Sequence, residues 1–364
     1  MLYIYQHASW PNFTWDHAHL APGLAEVAFL QGRILGRLDS LRFSLKKQVA
    51  LTTLTSEIVT SSAIEGEHLN LAEVRSSVAR TLGIETAGMV PSGHRVDSVV
   101  ELMVDATDNY LESFSDQRLF GWHAALFPSG RSGLNSISVG EYRRGDMQVV
   151  SGPAGRERIH YEAPAPEKVP GEMARFLEWV NSEPTCPPLI KAAIAHFWFV
   201  IIHPFEDGNG RLARAITESL LARSDRTSER YYSVSSQILA EREDYYAALK
   251  RTQHSDGDIT AWLEWFIGCL CRALTKSAMA LDVVAKKTEF WDRHAQTDIN
   301  QRQEKVLNKL LGDFEGKLTT AKWAKMTKTS HDTALRDIQD LIEKGILEKG
   351  PSGGRSTSYQ LVAN

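Results

Sequence analysis

Cysteine is scarce: the 364-residue chain holds three, Cys186, Cys269 and Cys271. An odd count without zinc-ligand spacing argues against a disulfide framework and fits a reducing compartment. Long apolar runs are missing too. Leu189–Val200 (LIKAAIAHFWFV) is strongly apolar but too short to span a bilayer, so no membrane segment is expected. The opening residues, MLYIYQHASWPNFTWD, contain no basic segment followed by an apolar run, which excludes a secretory signal and predicts a cytoplasmic protein. There is no charge excess of either sign large enough to matter. A formal net charge of −4 gives no global pull toward nucleic acid or anionic membrane. What remains is ordinary for a soluble globular protein, with 43% hydrophobic and 24% charged residues and enough length for two or three cores.

The chemistry concentrates in His203–Arg214, H-P-F-E-D-G-N-G-R-L-A-R. Leu189–Val200 reads as a buried helix ending near Ile202, because Pro204 disfavours helical geometry in the residue before it. Asp207-Gly-Asn-Gly forms a tight turn, and Arg211–Ala222 resumes a helical pattern. Such a turn opening a helix leaves backbone N–H groups unpaired and pointing one way, with the helix dipole behind them: an anion site. Arg211 and Arg214 lie one turn apart and can grip one polyphosphate. His203 is the candidate general base, able to accept a proton from an attacking hydroxyl. Asp207 is positioned to hold Mg²⁺, and the N–H groups around Gly208, Asn209 and Gly210 to hydrogen-bond a phosphate. Residue chemistry alone reaches Mg-dependent phosphate transfer or nucleotide binding.

Around this stretch the pattern is mainly α. Residues 1–18 carry Tyr3, Tyr5, Trp10 and Trp15 and read as a short strand or extended arm over the core. Helices are expected over Leu20–Leu45, Gln48–Ile64, Leu71–Leu82, His94–Phe114, Gln117–Phe127, Pro164–Glu183, Ser233–Leu249 and Ile259–Leu274. His123 reads as a hydrogen-bonded core histidine. Met147–Val150 and Arg158–Tyr161, either side of a Gly- and Pro-containing loop, have the grammar of a surface β-hairpin. Glu65 is a carboxylate near a helix end, with Gly66 available as a C-cap.

His203–Arg214 resembles the Fic signature, H-x-F-x-(D/E)-G-N-G-R-x-x-R, at every specified position. The resemblance covers roughly residues 50–275 and implies a Fic-type helical bundle with a β-hairpin flap. It also implies protein adenylyltransfer: AMP moves from ATP to a Ser, Thr or Tyr hydroxyl of a target protein, and pyrophosphate leaves. In that frame Arg211 and Arg214 hold the outer phosphates, and Tyr245 and Gln253 contact adenine. Val150, Ser151 and Gly152 of the flap line the target groove. Ser61, Glu65 and Gly66 match the family's inhibitory pattern, (S/T)-x-x-x-E-(G/N), which implies that Glu65 pairs with Arg214 and takes the place of the nucleotide γ-phosphate. Glu67 stands where some relatives have a small polar residue. Two rival readings stay open: Glu65 orienting a water for AMP removal, with or without AMP addition, or a nucleotide-sensing DNA-binding regulator.

Beyond a polar helical connector around residues 276–300, Gln301–Leu311, Thr319–Met326 and Ser330–Lys344 read as three short helices, followed by a glycine-rich hairpin. They resemble a winged helix-turn-helix domain over 301–364. That segment has eleven Lys/Arg and eight Asp/Glu, a net of +3. Lys325, Lys328, Arg336, Lys349 and Arg355 would face DNA phosphates, whereas Asp332, Asp337 and Asp340 would repel a duplex, so DNA binding is not favoured. The expected organisation is a helical extension over 1–95 with the inhibitory helix, a catalytic domain over 96–275, the connector and the winged helix. Exposed edges on flap and wing make a homodimer plausible.

Overall fold

The computed structural model describes residues 2–39, 41–85, 88–151, 158–312, 314, 316–350 and 357–362, the side chain of Ser151 excepted. The chain divides into two compact units, 1–278 and 279–364.

The first unit is helical. In order it contains α1 (His17–Asp39), α2 (Phe43–Ile64), α3 (Leu71–Thr81), α4 (His94–Asp108) and α5 (Asp116–Leu126). Next come the small hairpin β1 (Arg131–Ser132) and β2 (Asn135–Ser136), then β3 (Gln148–Ser151) and β4 (Arg158–Glu162). Finally it holds α6 (Val169–Asn181), α7 (Pro188–Ile202), α8 (Asn209–Asp225), α9 (Val234–Ala240), α10 (Arg242–Thr252) and the start of α11 (Thr260–Arg293). The core lies on α7 and α8. Between Leu189 and Ile202 every residue except Val200 is buried, as an apolar pattern on all faces requires. α8 is buried continuously from Arg211 to Ala222 and packs along α7. α2 also packs against α8, α3, α4 and α9, so the N-terminal helices belong to the same unit as the motif.

Several local expectations are corrected. The apolar pattern through Leu41 and Leu45 suggests one helix, but α1 ends at Asp39 and a new helix starts at Phe43. Ser233–Leu249 is two helices, broken at Glu241, whose φ of −121° and ψ of 34° leave the helical region. The connector is largely α11, which runs on to Arg293. The N-terminal arm is held by a 3₁₀ turn at Ile4–Gln6, an Ile4 N–H bond to the Gln253 carbonyl (2.7 Å) and a parallel bridge between Thr14 and Asp258.

The second unit follows the order α12 (Gln301–Leu310), α13 (Thr320–Thr327), α14 (His331–Glu343), β5 (Leu347–Lys349) and β6 (Tyr359–Leu361). Leu318, just before α13, bridges Tyr359 in antiparallel fashion. Val306, Leu307, Trp323, Ile338, Leu341, Ile346 and Leu347 form its core. Asn300, Thr319 and Ser330 cap the three helices with their side chains. Two of the three aspartates expected to repel a duplex are spent internally. Asp337 is buried and accepts from Arg302 Nε and Nη2, each at 2.8 Å, while Asp340 accepts from Lys344 and Gln303 at 2.6 Å. Arg355 lies outside the described residues.

Candidate active site

His203 ends α7 in the left-handed region, at φ 51° and ψ 59°, and this turns the chain away from the helix axis. Phe205 is fully buried and anchors the turn, stacked on His123 at 4.2 Å between ring centroids. Asn209 closes the loop reciprocally: its Oδ1 accepts from Phe205 N–H (3.0 Å) and its Nδ2 donates to the Phe205 carbonyl (2.8 Å). The Asn209 side chain thus faces inward, which leaves only its backbone for a ligand. Gly208 caps α8 at φ 83°, a conformation that suits glycine, and a Cβ there would meet the Phe127 ring at 2.9 Å. His123 bears out its reading as a bonded core histidine, with Nε2 3.2 Å from the Asp207 carbonyl and Nδ1 accepting from Gly140 N–H.

The His203 ring is half-buried, with Nδ1 3.2 Å from the Val200 carbonyl. A carbonyl only accepts, so Nδ1 carries the proton and Nε2 keeps its lone pair. Burial lowers the ring's pKa from 6.5 to about 4, opposed in part by the Val200 bond, so the imidazole is neutral at physiological pH. Arg143, unremarked in the sequence, fixes the backbone here. It is buried and donates to the carbonyls of His203 (2.8 Å), Gly145 (2.8 Å) and Pro164.

Opposite the loop, the end of α2 supplies anions. The Gly66 N–H bonds to the Ala63 carbonyl and the Glu67 N–H to the Ser62 carbonyl, both at 3.0 Å, with Gly66 at φ 80°. This Schellman closure turns Glu65 and Glu67 toward the first turn of α8. Glu65 Oε1 lies 2.9 Å from Arg214 Nη2. Arg214, almost wholly buried, also donates from Nε to Ser61 Oγ (2.8 Å) and from Nη2 to the Ser61 carbonyl (2.9 Å). A Cβ on Gly210 would overlap the Glu65 carboxylate, so this approach needs glycine at that position. Glu67 pairs with Arg211 at 2.7 Å and with Arg95 at 3.0 Å.

Glu65, His203, Gly210, Val150, Tyr245 and Gln253 line one cavity of about 560 Å³. Val150 sits on β3 at a register shift, and its Cα partner on β4 is Ile159. Ser151 is the last residue of β3, and Gly152 lies outside the described residues. Tyr245 is buried, and its hydroxyl lies 2.9 Å from His196 Nε2. Gln253 donates to the His160 carbonyl of β4 at 2.9 Å. Tyr246 and Arg242, also on the lining, were not foreseen; an aromatic beside Tyr245 was the available signal.

The residues suit a polyphosphate. Arg211 Nε and Arg214 Nη1 are buried without a hydrogen-bond partner among the described residues, donors that suit a phosphate oxygen. Asp207 is half-exposed; it accepts from Ser132 Oγ and from its neighbour Gly208 N–H. No cluster of three or more His, Cys, Asp or Glu able to hold a metal occurs among the described residues. An ion at Asp207 would therefore take most of its ligands from phosphate oxygens and water, which Mg²⁺ accepts readily.

Residues 113–221 match the Fic/DOC family, and residues 3–84 match a domain of unknown function, DUF4172. Curated relatives named protein adenylyltransferase Fic, from Drosophila mojavensis and Drosophila melanogaster, are 28% identical over 263 residues. The match takes in 68% of this chain and 48% and 49% of theirs, so the chain spans about half the length of the curated relatives it matches. Among solved structures, a Fic family protein from Desulfovibrio desulfuricans G20 has a TM-score of 0.52 at 23% identity, covering 94% of this chain and 97% of that one. A Fic domain containing signaling protein from Bacteroides thetaiotaomicron VPI-5482 has the same TM-score at 20% identity, covering 70% and 96%. Both share the fold.

Proposed function

We propose that this protein is an adenylyltransferase that moves AMP from ATP to a hydroxyl side chain of a target protein and is restrained by Glu65. The observation that carries the reading is the convergence on one cavity of His203, Glu65 and Gly210 of the α8 start, with Arg211 next in the chain and Arg214 paired to Glu65. Arg211 and Arg214 hold the outer phosphates of ATP, and the N–H groups at the α8 start bond the α-phosphate. His203 Nε2 takes the target hydroxyl's proton as that oxygen bonds to the α-phosphorus, and the bond to pyrophosphate breaks. Asp207 would hold Mg²⁺, which supplies charge neutralisation to the phosphates. Val150 and Ser151 of β3 offer main-chain groups to an extended target segment. Tyr245 and Gln253, on the cavity lining, contact the adenine. Glu65 occupies the Arg214 guanidinium that a γ-phosphate needs, which supports auto-inhibition.

The order of elements in the second unit supports a winged helix, and its internally paired Asp337 and Asp340 weaken the electrostatic objection to a DNA ligand. A cytoplasmic location fits the scarcity of cysteine. Among the described residues no helix is long and apolar enough to cross a membrane.

The test is mass spectrometry of Glu65→Gly incubated with ATP, Mg²⁺ and lysate. Added AMP on Ser, Thr or Tyr peptides is expected, absent with His203→Ala. ATP binding without any transfer would overturn the reading, and release of free AMP from a pre-modified target would favour the removal activity.

A further inference from the structure

Glu67 has no role in the reading above, yet it makes the closest ionic contact to Arg211. Its Oε2 lies 2.7 Å from Arg211 Nη1, while Asp207, the other carboxylate near that guanidinium, stands 3.8 Å away. Arg211 cannot turn aside. Its side chain is 5% exposed and its guanidinium lies over the Phe127 ring at 4.8 Å, so whatever anion it binds must come to it. Glu67 has a second partner: its Oε1 meets Arg95 of α4 at 3.0 Å, and Arg95 is largely exposed. One carboxylate therefore spans a buried arginine that faces the phosphate site and a solvent-facing arginine that does not depend on it.

We propose that Glu67 is a second carboxylate lock on the phosphate site, governing Arg211 as Glu65 governs Arg214, with Arg95 as the partner it retains when ATP takes Arg211. The inference rests on the reading that Arg211 holds ATP phosphates. Its basis is the same closure that places Glu65. Gly66 in the left-handed region and the Glu67 N–H bond to the Ser62 carbonyl leave Glu65 and Glu67 on one side of the turn, Glu67 paired with Arg211 in the first turn of α8 and Glu65 with Arg214 in the second. Each anion is favoured separately, by its own arginine and by the helix N-terminus beside it, at a site built for phosphates. Removing Glu65 alone leaves half the lock closed. Because Glu67 acts through Arg211, it is a positioning residue, and its effect falls on ATP affinity and not on the chemical step.

The experiment measures Kd for ATP with Mg²⁺ by calorimetry, and KM and kcat for AMP incorporation, in wild type, Glu65→Gly, Glu67→Gln and the double variant. Glutamine preserves the shape and a hydrogen bond to Arg211 while removing the charge. In the Glu65→Gly background, Glu67→Gln is expected to tighten ATP binding about two- to fivefold, the scale of one partly exposed ion pair, with kcat unchanged. Arg95→Gln supplies the signature that a merely structural role would not move. It should weaken ATP binding when Glu67 is present, because Glu67 then has only Arg211, and have no effect beside Glu67→Gln. Equal or weaker ATP binding in the double variant overturns the proposal, as does an Arg95→Gln effect that persists without Glu67, which would mean that Arg95 contacts phosphate directly. Binding without transfer would overturn only the adenylyltransfer reading; no ATP binding in any of the four proteins would overturn both.

Discussion

Replacing Glu65 by alanine should weaken the ligand-free fold while opening the site, and the two effects can be read in one melting experiment. Arg214 is 2% exposed and keeps both bonds to Ser61, so alanine removes its carboxylate without freeing it to reach water. Stranding a buried charge costs about 3–5 kcal/mol. Glu65 is 30% exposed and the Ser61 bonds persist, which brings the expected loss to about 2 kcal/mol. For a unit of this size that is a fall in Tm of about 3–4 °C. A triphosphate would replace the missing anion, and at one hundred times its Kd it returns about 2.7 kcal/mol. Thermal melts of wild type and variant, with and without ATP and Mg²⁺, should therefore show a lower Tm for the variant alone and a larger rise on adding nucleotide. An unchanged ligand-free Tm would refute the claim that Arg214 depends on this partner. An equal rise in both proteins would refute competition between carboxylate and phosphate.

With burial holding His203 near a pKa of about 4, its basic form persists as pH falls through 6.5. The AMP-incorporation rate of Glu65→Ala should fall only as pH approaches about 4; a midpoint at 6.5 would show an ordinary, solvated imidazole. His203→Ala should abolish incorporation with ATP affinity within about twofold, read by calorimetry, and lost binding would mean a structural histidine. His123 and His196 are buried with pKa values lowered to about 4 and about 3, mainly by desolvation. Both stay neutral in the fold while the unfolded chain protonates below 6.5. Stability is thus complete above pH 6.5 and declines as pH falls toward 4, by about 1.4 kcal/mol per pH unit for each histidine. Urea midpoints at pH 7.5, 6 and 5 measure this, and a flat series would contradict it. Deleting residues 301–364 should leave ATP affinity unchanged, because every residue lining the cavity belongs to the first unit; loss of binding by the shortened protein would show otherwise.

Legibility followed the range of the interactions. α7 could be read directly because an apolar residue on every face has one comfortable place, and Pro204 marked its end. The loop chemistry was local and so was visible. The Glu65–Arg214 pair joins distant parts of the chain and was reached only through the resemblance to a known pattern. Glu67 departs from the small polar residue of some relatives, but its partners Arg211 and Arg95 sit on other helices, and no periodicity connects them. Boundaries failed where exposure contradicted hydrophobicity: Phe43 opens α2 while 69% exposed, so a pattern built on buried apolar residues starts that helix late. The break at Glu241 was hidden because the flanking charged residues are good helix formers and tertiary packing decided the bend.

The reciprocal amide clasp between Asn209 and Phe205 settles the curvature of the catalytic turn from within the protein. If a nucleotide binds there as proposed, it would find the amide donors already aimed, with no need for the turn to reorganise. Under the proposed auto-inhibition, switching between silent and active states would fall to the short end of α2, where restraint could be retuned through two or three side chains without disturbing the turn.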